Sequence, residues 1–218
     1  MYHPMKKDDF APLCAQHPIT VVNRSKFGAT IGRGWAFLSR ALEKQTVCDL
    51  AVLEFGGNDC NFDWKAVSDN PGGSHLPMTE PEIFADTLRR MTAALLGSGI
   101  RPVLVSLPPI HAQRYFDHIL ASTPGTNGDR ILAWLGGDVQ TIYRYQELYS
   151  AAVTRIAYET GSIYLDLRSA FLDKHGYGEL LCADGIHPNE AGHALIADAF
   201  LRAADVFTGV GTQAKQTA

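Results

Sequence analysis

A carboxylate and an imidazole three residues apart can form a working pair for proton transfer. Asp184-Gly-Ile-His187-Pro188 has that spacing. The carboxylate can accept from one ring nitrogen while the other faces a cleft, which is how a base that deprotonates a hydroxyl is oriented. A capping aspartate beside a surface histidine gives the same pattern, although the adjacent proline and helix start make the turn more specific. A second group is Phe55-Gly-Gly-Asn58-Asp59. Gly56 and Gly57 let backbone approach a ligand closely. The Asn58 amide can aim an N–H at a developing oxyanion, where one donor is worth about 3 kcal/mol. A glycine turn with a local asparagine cap remains the plainer reading. The third group, Asn23-Arg-Ser-Lys-Phe-Gly28, offers the Gly28 backbone N–H as a second donor. Gly57, Asp59 and Trp64 are the expected substrate contacts. Trp64, Trp134, Tyr115 and Phe116 can wall a pocket or simply pack. Ser25 and Ser106 lie near expected strand ends but read as turn and capping residues. Asp49, Glu54, Asp59 and Asp63 would have to converge to hold a metal, and strand alternation splits Asp49 from Glu54; no metal is expected.

These groups need elements to bring them together. Four short, apolar, turn-bounded runs read as strands: Pro18–Asn23, Val47–Phe55, Arg101–Leu107 and Ser162–Leu167. Such runs suit a parallel sheet buried on both faces. Helical faces lie between them. Thr79-Glu80-Pro81-Glu82 has capping-box spacing and leads into Ile83, Phe84, Leu88, Met91 and Leu95. Ile142, Tyr145, Tyr149, Val153 and Ile156 mark a second face. Pro188 is expected to open a last helix with Leu195, Ile196, Ala199 and Phe200 turned inward. Residues 61–78 and 108–138 read as long irregular segments, which often wall a site. The whole implies an α/β protein, a three-layer α/β/α sandwich with a mostly parallel sheet. In such sheets ligands sit at the carboxyl ends of strands, where all three groups fall.

Composition narrows the function. The chain has 218 residues, with 19 Lys and Arg against 23 Asp and Glu, a net charge of −4. That length suits one domain, residues 1–208, burying roughly 70% of its unfolded surface, with 209–218 as a frayed tail. The absence of a basic block argues against nucleic acid, and no apolar run is long enough for a membrane span. The first ten residues lack a signal-peptide core, so a cytoplasmic location is expected unless a leader lies upstream. The four cysteines are scattered without metal or disulfide spacing.

In the order N-x-S-x-x-G, G-G-N-D and D-x-x-H-P, the three groups resemble the SGNH (GDSL-type) hydrolase family from about Pro18 to Ala204. The resemblance implies a flavodoxin-like fold and ester hydrolysis without cofactor or metal. Gly28 and Asn58 would be oxyanion donors, His187 the general base and acid, and Asp184 its orienting partner. The partner would be a small-molecule ester or an acylated carbohydrate. One block departs from the family: its opening strand and Gly-Asp-Ser turn, which carries the nucleophile, has no counterpart here. The expectation is a chain beginning at an internal methionine, with the central strand and serine upstream. The rival is a domain that kept the crevice, lost the nucleophile, and binds an acylated sugar or a protein.

Overall fold

The structure, a computed structural model, describes residues 10–208; the expected tail from Gly209 lies outside them. Three parallel strands form the sheet, β1 (Leu50–Leu53), β2 (Arg101–Val105) and β3 (Ile163–Leu165), in that order. Val52 stands opposite Val103, and Val103 opposite Ile163. The β2 side chains alternate between two cores. Leu104 joins a core built with α2 (Ile31–Glu43), α4 (Pro81–Gly97) and α7 (Gln140–Thr160). Val103 and Val105 join a core with α1 (Ala11–Gln16), α8 (Leu167–Leu172), α9 (Glu190–Arg202) and α10 (Ala204–Thr208). Helices therefore cover both faces, and the three-layer α/β/α reading holds. A third cluster joins α3 (Trp64–Asp69), α5 (Ala112–Ser122) and α6 (Gly128–Trp134) beyond the strand ends.

The helical faces follow from spacing. Phe84, Leu88, Met91 and Leu95 are buried along α4, each worth about 1.5–3 kcal/mol of transfer free energy. Ile83 on the same stripe is 55% exposed. Ile142, Tyr149, Val153 and Ile156 are buried along α7. Gly161, left-handed at φ 64°, ends that helix.

Four expectations change. Pro18–Asn23 is not a strand: it makes no ladder bonds, although Ile19 and Val21 pack partly on the second core while Val22 is 69% exposed. Its alternation is strand-like, but ordering backbone costs about 1–2 kcal/mol per residue, and among the described residues no strand pairs with it to offset that. The capping box does not close; Glu80 is the N-cap of α4 without a side-chain bond, and proline begins the helix. The last helix starts two residues after Pro188, capped by Asn189 accepting from Gly192 N, because Pro188 is held in a bridge to Leu181. Finally, the two irregular segments contain α3, α5 and α6, capped by Asp63, His111 and Asn127. Among the described residues, no helix is long and apolar enough to cross a membrane.

Candidate active site

Two halves make the site. In the first, a tight turn before α9 pairs Asp184 with His187. His187 Nδ1–H donates to Asp184 Oδ2 at 2.9 Å. The other carboxylate oxygen accepts from the backbone N–H groups of Ile186 and His187, both at 3.0 Å. Partial burial pushes this carboxyl up, but those donors and the His187 ring outweigh it, so it sits below the ordinary aspartate value. It stays ionised at neutral pH and fixes which ring nitrogen carries the proton. The opposite nitrogen, Nε2, is then the basic one.

In the second half, the turn after β1 meets the turn before α2. Asn58 Nδ2 donates to Ala29 O at 3.3 Å. Gly28 is left-handed at φ +69°, with open space where a Cβ would stand. Asp59 ties the two turns together: its oxygens accept from Ile31 N at 2.9 Å and Gly56 N at 3.1 Å. Ile31 N–H is an orphan donor of α2's first turn, and the Thr30 side chain does not cap it. Gly56, at φ +126°, could not carry a side chain, since a Cβ would lie 2.8 Å from Leu107 Cδ1. Phe27 bridges the halves. Its ring stacks on His187 with centroids 5.9 Å apart and planes at 28°. The chain thus runs from Phe27 on the imidazole, through Gly28, to Ala29 on the Asn58 amide.

The GDSL-like lipase/acylhydrolase family model matches residues 8–195. The chain belongs to that family. Among curated relatives it is similar to an acetylxylan esterase of Geobacillus stearothermophilus, 38% identical over 69 residues, 31% of this chain and 32% of that protein. It is also similar to an arylesterase of Vibrio mimicus, 31% identical over 101 residues, 45% of this chain and 42% of that one. The chain thus spans less than half of either relative. Among solved structures, an α/β hydrolase from the metagenome of Lake Arreo, Spain, superposes with TM-score 0.65 at 23% identity, covering 91% of this chain and 80% of that one. A lipase/acylhydrolase of Enterococcus faecalis gives 0.62 at 18% identity, covering 93% and 84%. At those identities the likeness speaks for the fold.

Of the expected substrate contacts, Gly57 is exposed beside Asn58. Asp59 is fully buried, both oxygens engaged as above. Trp64 is buried at the start of α3, its Nε1 donating to Asn61 Oδ1 at 2.8 Å. Contact between substrate and Asp59 or Trp64 would require the surrounding loop to open. Tyr115 shares Asn61 Oδ1, at 2.7 Å, so this aromatic group is packed wall. Both candidate serines are hydrogen-bonded to other groups. Ser25 Oγ donates to Asn23 Oδ1 at 2.6 Å. Ser106 is fully buried, donating to Asp166 Oδ1 at 3.1 Å and accepting from Arg168 N at 2.9 Å. Burial, aided by the Asp59 charge, raises the Cys60 thiol to about 12, so it offers no thiolate at neutral pH.

Sequence reasoning missed what holds the Asp184–His187 turn. His111 N donates to Gly185 O at 2.7 Å, and Arg114 Nη1 to Gly178 O at 2.7 Å. Gly185 is left-handed at φ +74°, and a Cβ there would sit 2.7 Å from both His111 O and Arg114 Cβ. The start of α5 is thus a seat for the turn. The Asp-Gly pair was the one visible signal of a left-handed residue; nothing in the spacing ties it to residue 111.

Proposed function

We propose that this protein hydrolyses acyl esters, using His187 as base and acid, Asp184 as its orienting partner, and Gly28 N–H with the Asn58 side chain as oxyanion donors. The attacking serine belongs, on this reading, to a strand seated on the open edge of β1. That serine Oγ attacks the acyl carbon as His187 Nε2 takes its proton. Charge develops on the carbonyl oxygen, held by Gly28 and Asn58. As the tetrahedral species collapses, His187 returns the proton to the departing alcohol. Water, deprotonated by the same nitrogen, then releases the acid. Asp184 stabilises the transient imidazolium.

The observation that carries this is the 2.9 Å Asp184–His187 bond, joined through Phe27 to the turn that meets Asn58. The similarity to an acetylxylan esterase and an arylesterase favours small acyl esters of carbohydrates or phenols. The test is p-nitrophenyl acetate turnover by the protein extended with its upstream coding sequence. His187→Ala should lower kcat/KM by on the order of 10⁴; equal rates in the two proteins would end this reading. A second reading, a binding domain without a nucleophile, is favoured by the engagement of Ser25 and Ser106 elsewhere. Fluorophosphonate labelling separates the two: a labelled serine is expected only of the enzyme.

A further inference from the structure

Asp184 alone does not fix the imidazole. Its bond to Nδ1 at 2.9 Å anchors one atom of the ring and places the proton. The tilt of the ring about that bond stays loose, because the second side-chain torsion of a histidine sits in a broad well. Tilting swings Nε2, on the far side of the ring, away from the oxygen it must reach. A contact on the ring face removes that freedom, and Phe27 makes one. The two centroids are 5.9 Å apart with planes at 28°, within the offset-stacked range that aromatic pairs prefer.

A turn places Phe27. Ala29 N donates to Lys26 O at 3.2 Å, closing a four-residue β-turn with Phe27 and Gly28 at its centre. Gly28 is left-handed at φ +69° and Phe27 is not; that pairing is the type II turn, which favours glycine at the third position. The closing bond uses the Ala29 N–H and leaves the Gly28 N–H outside it. The proposed oxyanion donor therefore belongs to the peptide that joins Phe27 to Gly28. Ala29, which ends the turn, accepts from the Asn58 amide at 3.3 Å. One turn thus carries the stacking ring, one donor and the acceptor that holds the other donor. The ring itself is 73% exposed, so it adds little to the core, and its contribution lies in what it touches at the site.

We propose that Phe27 is a positioning residue for the general base. Its ring sets the tilt of the His187 imidazole and holds Nε2 at a fixed spacing from the Gly28 N–H and the Asn58 amide. The proposal rests on the esterase reading and adds a residue to it. Base and oxyanion donors must meet around one acyl carbon, where a misplacement of about 1 Å costs on the order of 10²-fold in rate. A phenyl face also attracts the cationic ring that forms when Nε2 takes its proton. An aliphatic side chain of similar bulk offers neither the flat face nor that attraction.

The test uses p-nitrophenyl acetate and the upstream-extended protein. Phe27→Leu should lower kcat about 10- to 100-fold while KM stays within about threefold. Phe27→Tyr, which keeps the flat face, should hold kcat within about threefold of the starting protein. Exposure of the ring makes both variants safe to fold, and thermal unfolding checks that their midpoints match. Full activity in Phe27→Leu overturns the proposal. So does a raised KM at unchanged kcat, which would make the ring a substrate contact. NMR of the imidazole reads the geometry without turnover. His187 Hδ2 should carry an upfield ring-current shift in the starting protein and in Phe27→Tyr, lost in Phe27→Leu. The Nδ1–H proton on Asp184 should exchange faster in the leucine variant than in the other two. Equal exchange in all three proteins overturns the proposal. If the extended protein hydrolyses no ester, the esterase reading fails, and the Nδ1–H exchange still decides whether Phe27 fixes the imidazole.

Discussion

The β1 side and the β3 side of the sheet are made from similar apolar residues and end up differently. Around β2 and β3, Val103, Leu104, Val105, Leu167 and Phe171 are almost wholly buried. Around β1, Val22, Val47 and Val52 are 69%, 95% and 50% exposed. Beyond β3 a buried cation is held in place as well. Arg168 is buried, donating to Leu107 O at 3.1 Å and Gln146 Oε1 at 2.9 Å, paired with Glu147, and its guanidinium lies over the Tyr143 ring. The difference is one of neighbours. β2 has a strand on each side and helices on both faces, whereas among the described residues β1 pairs with β2 alone. A β-branched residue buries itself only if something stands opposite it. The site draws on both sides: its acid–base half sits on the well-packed scaffold, its oxyanion half on the sparse one.

The contrast should appear first in stability. Phe171→Ala on the β3 side should cost about 3–5 kcal/mol, the usual loss for emptying a fully buried aromatic site. Val52→Ala, a half-exposed change on β1, should cost under about 1 kcal/mol. Urea unfolding of the two variants checks the pair. Similar losses from both would mean that Val52 is covered in solution and the sheet is not open at β1.

A smaller effect tests how the oxyanion half is held. Asp59→Ala removes the acceptor for Ile31 N and Gly56 N and should lower stability by about 2 kcal/mol. Asp59→Asn, which keeps one acceptor oxygen, should lose less. Gly185→Ala tests the other half. A Cβ there meets His111 O and Arg114 Cβ, so the Asp184–His187 pair must move. Shifts of about 1 Å cost on the order of 10²-fold in rate. Gly185→Ala should therefore lower kcat more than it lowers stability, whereas Asp59→Ala should lower both. Equal behaviour of the two variants would erase the distinction between the halves.

How much of this was legible in the sequence divides along the same line. Arg101–Val105 and Ile163–Leu165 were readable as strands, and each pairs with a described strand. Pro18–Asn23 has the same composition and was misread, since ladder pairing is not a property of the segment that carries it. Asp184 and His187 were readable because three residues in a turn fix their geometry locally. Gly28 and Asn58 were readable as candidate donors in glycine turns and were set against the plainer turn reading by the resemblance, but the bond from Asn58 to Ala29 O spans 29 residues that no local rule connects. Asp59 was expected to be a substrate contact. Its engagement by Ile31 N and Gly56 N depends on where α2 begins. The seat on α5 was invisible for the same reason.

The smallest expected effect is electrostatic, and it has opposite signs on the two sides. Asp166, after β3, is pushed up by burial but more strongly held down by Ser169 N, Ser169 Oγ, Ser106 Oγ and Arg168, so it lies below the ordinary value, as Asp184 does. Asp59, after β1, lies above it, because desolvation outweighs its hydrogen bonds. A carboxyl lowered on folding adds stability at neutral pH, lost as pH falls from the unfolded value near 4 through the folded one. A carboxyl raised on folding does the reverse: its protonated form favours the fold, and that contribution disappears as pH rises through the raised value. Acidification from pH 7 towards pH 4 should therefore slow relative amide exchange around Gly56–Asn61, while leaving the start of α8 and the Asp184–His187 turn protected until the pH drops further. Hydrogen exchange at matched intrinsic rates reads both regions in one experiment. If both gain or both lose protection together over that range, the carboxyls do not distinguish the two sides, and the exposure of the β1 residues must be explained by packing alone.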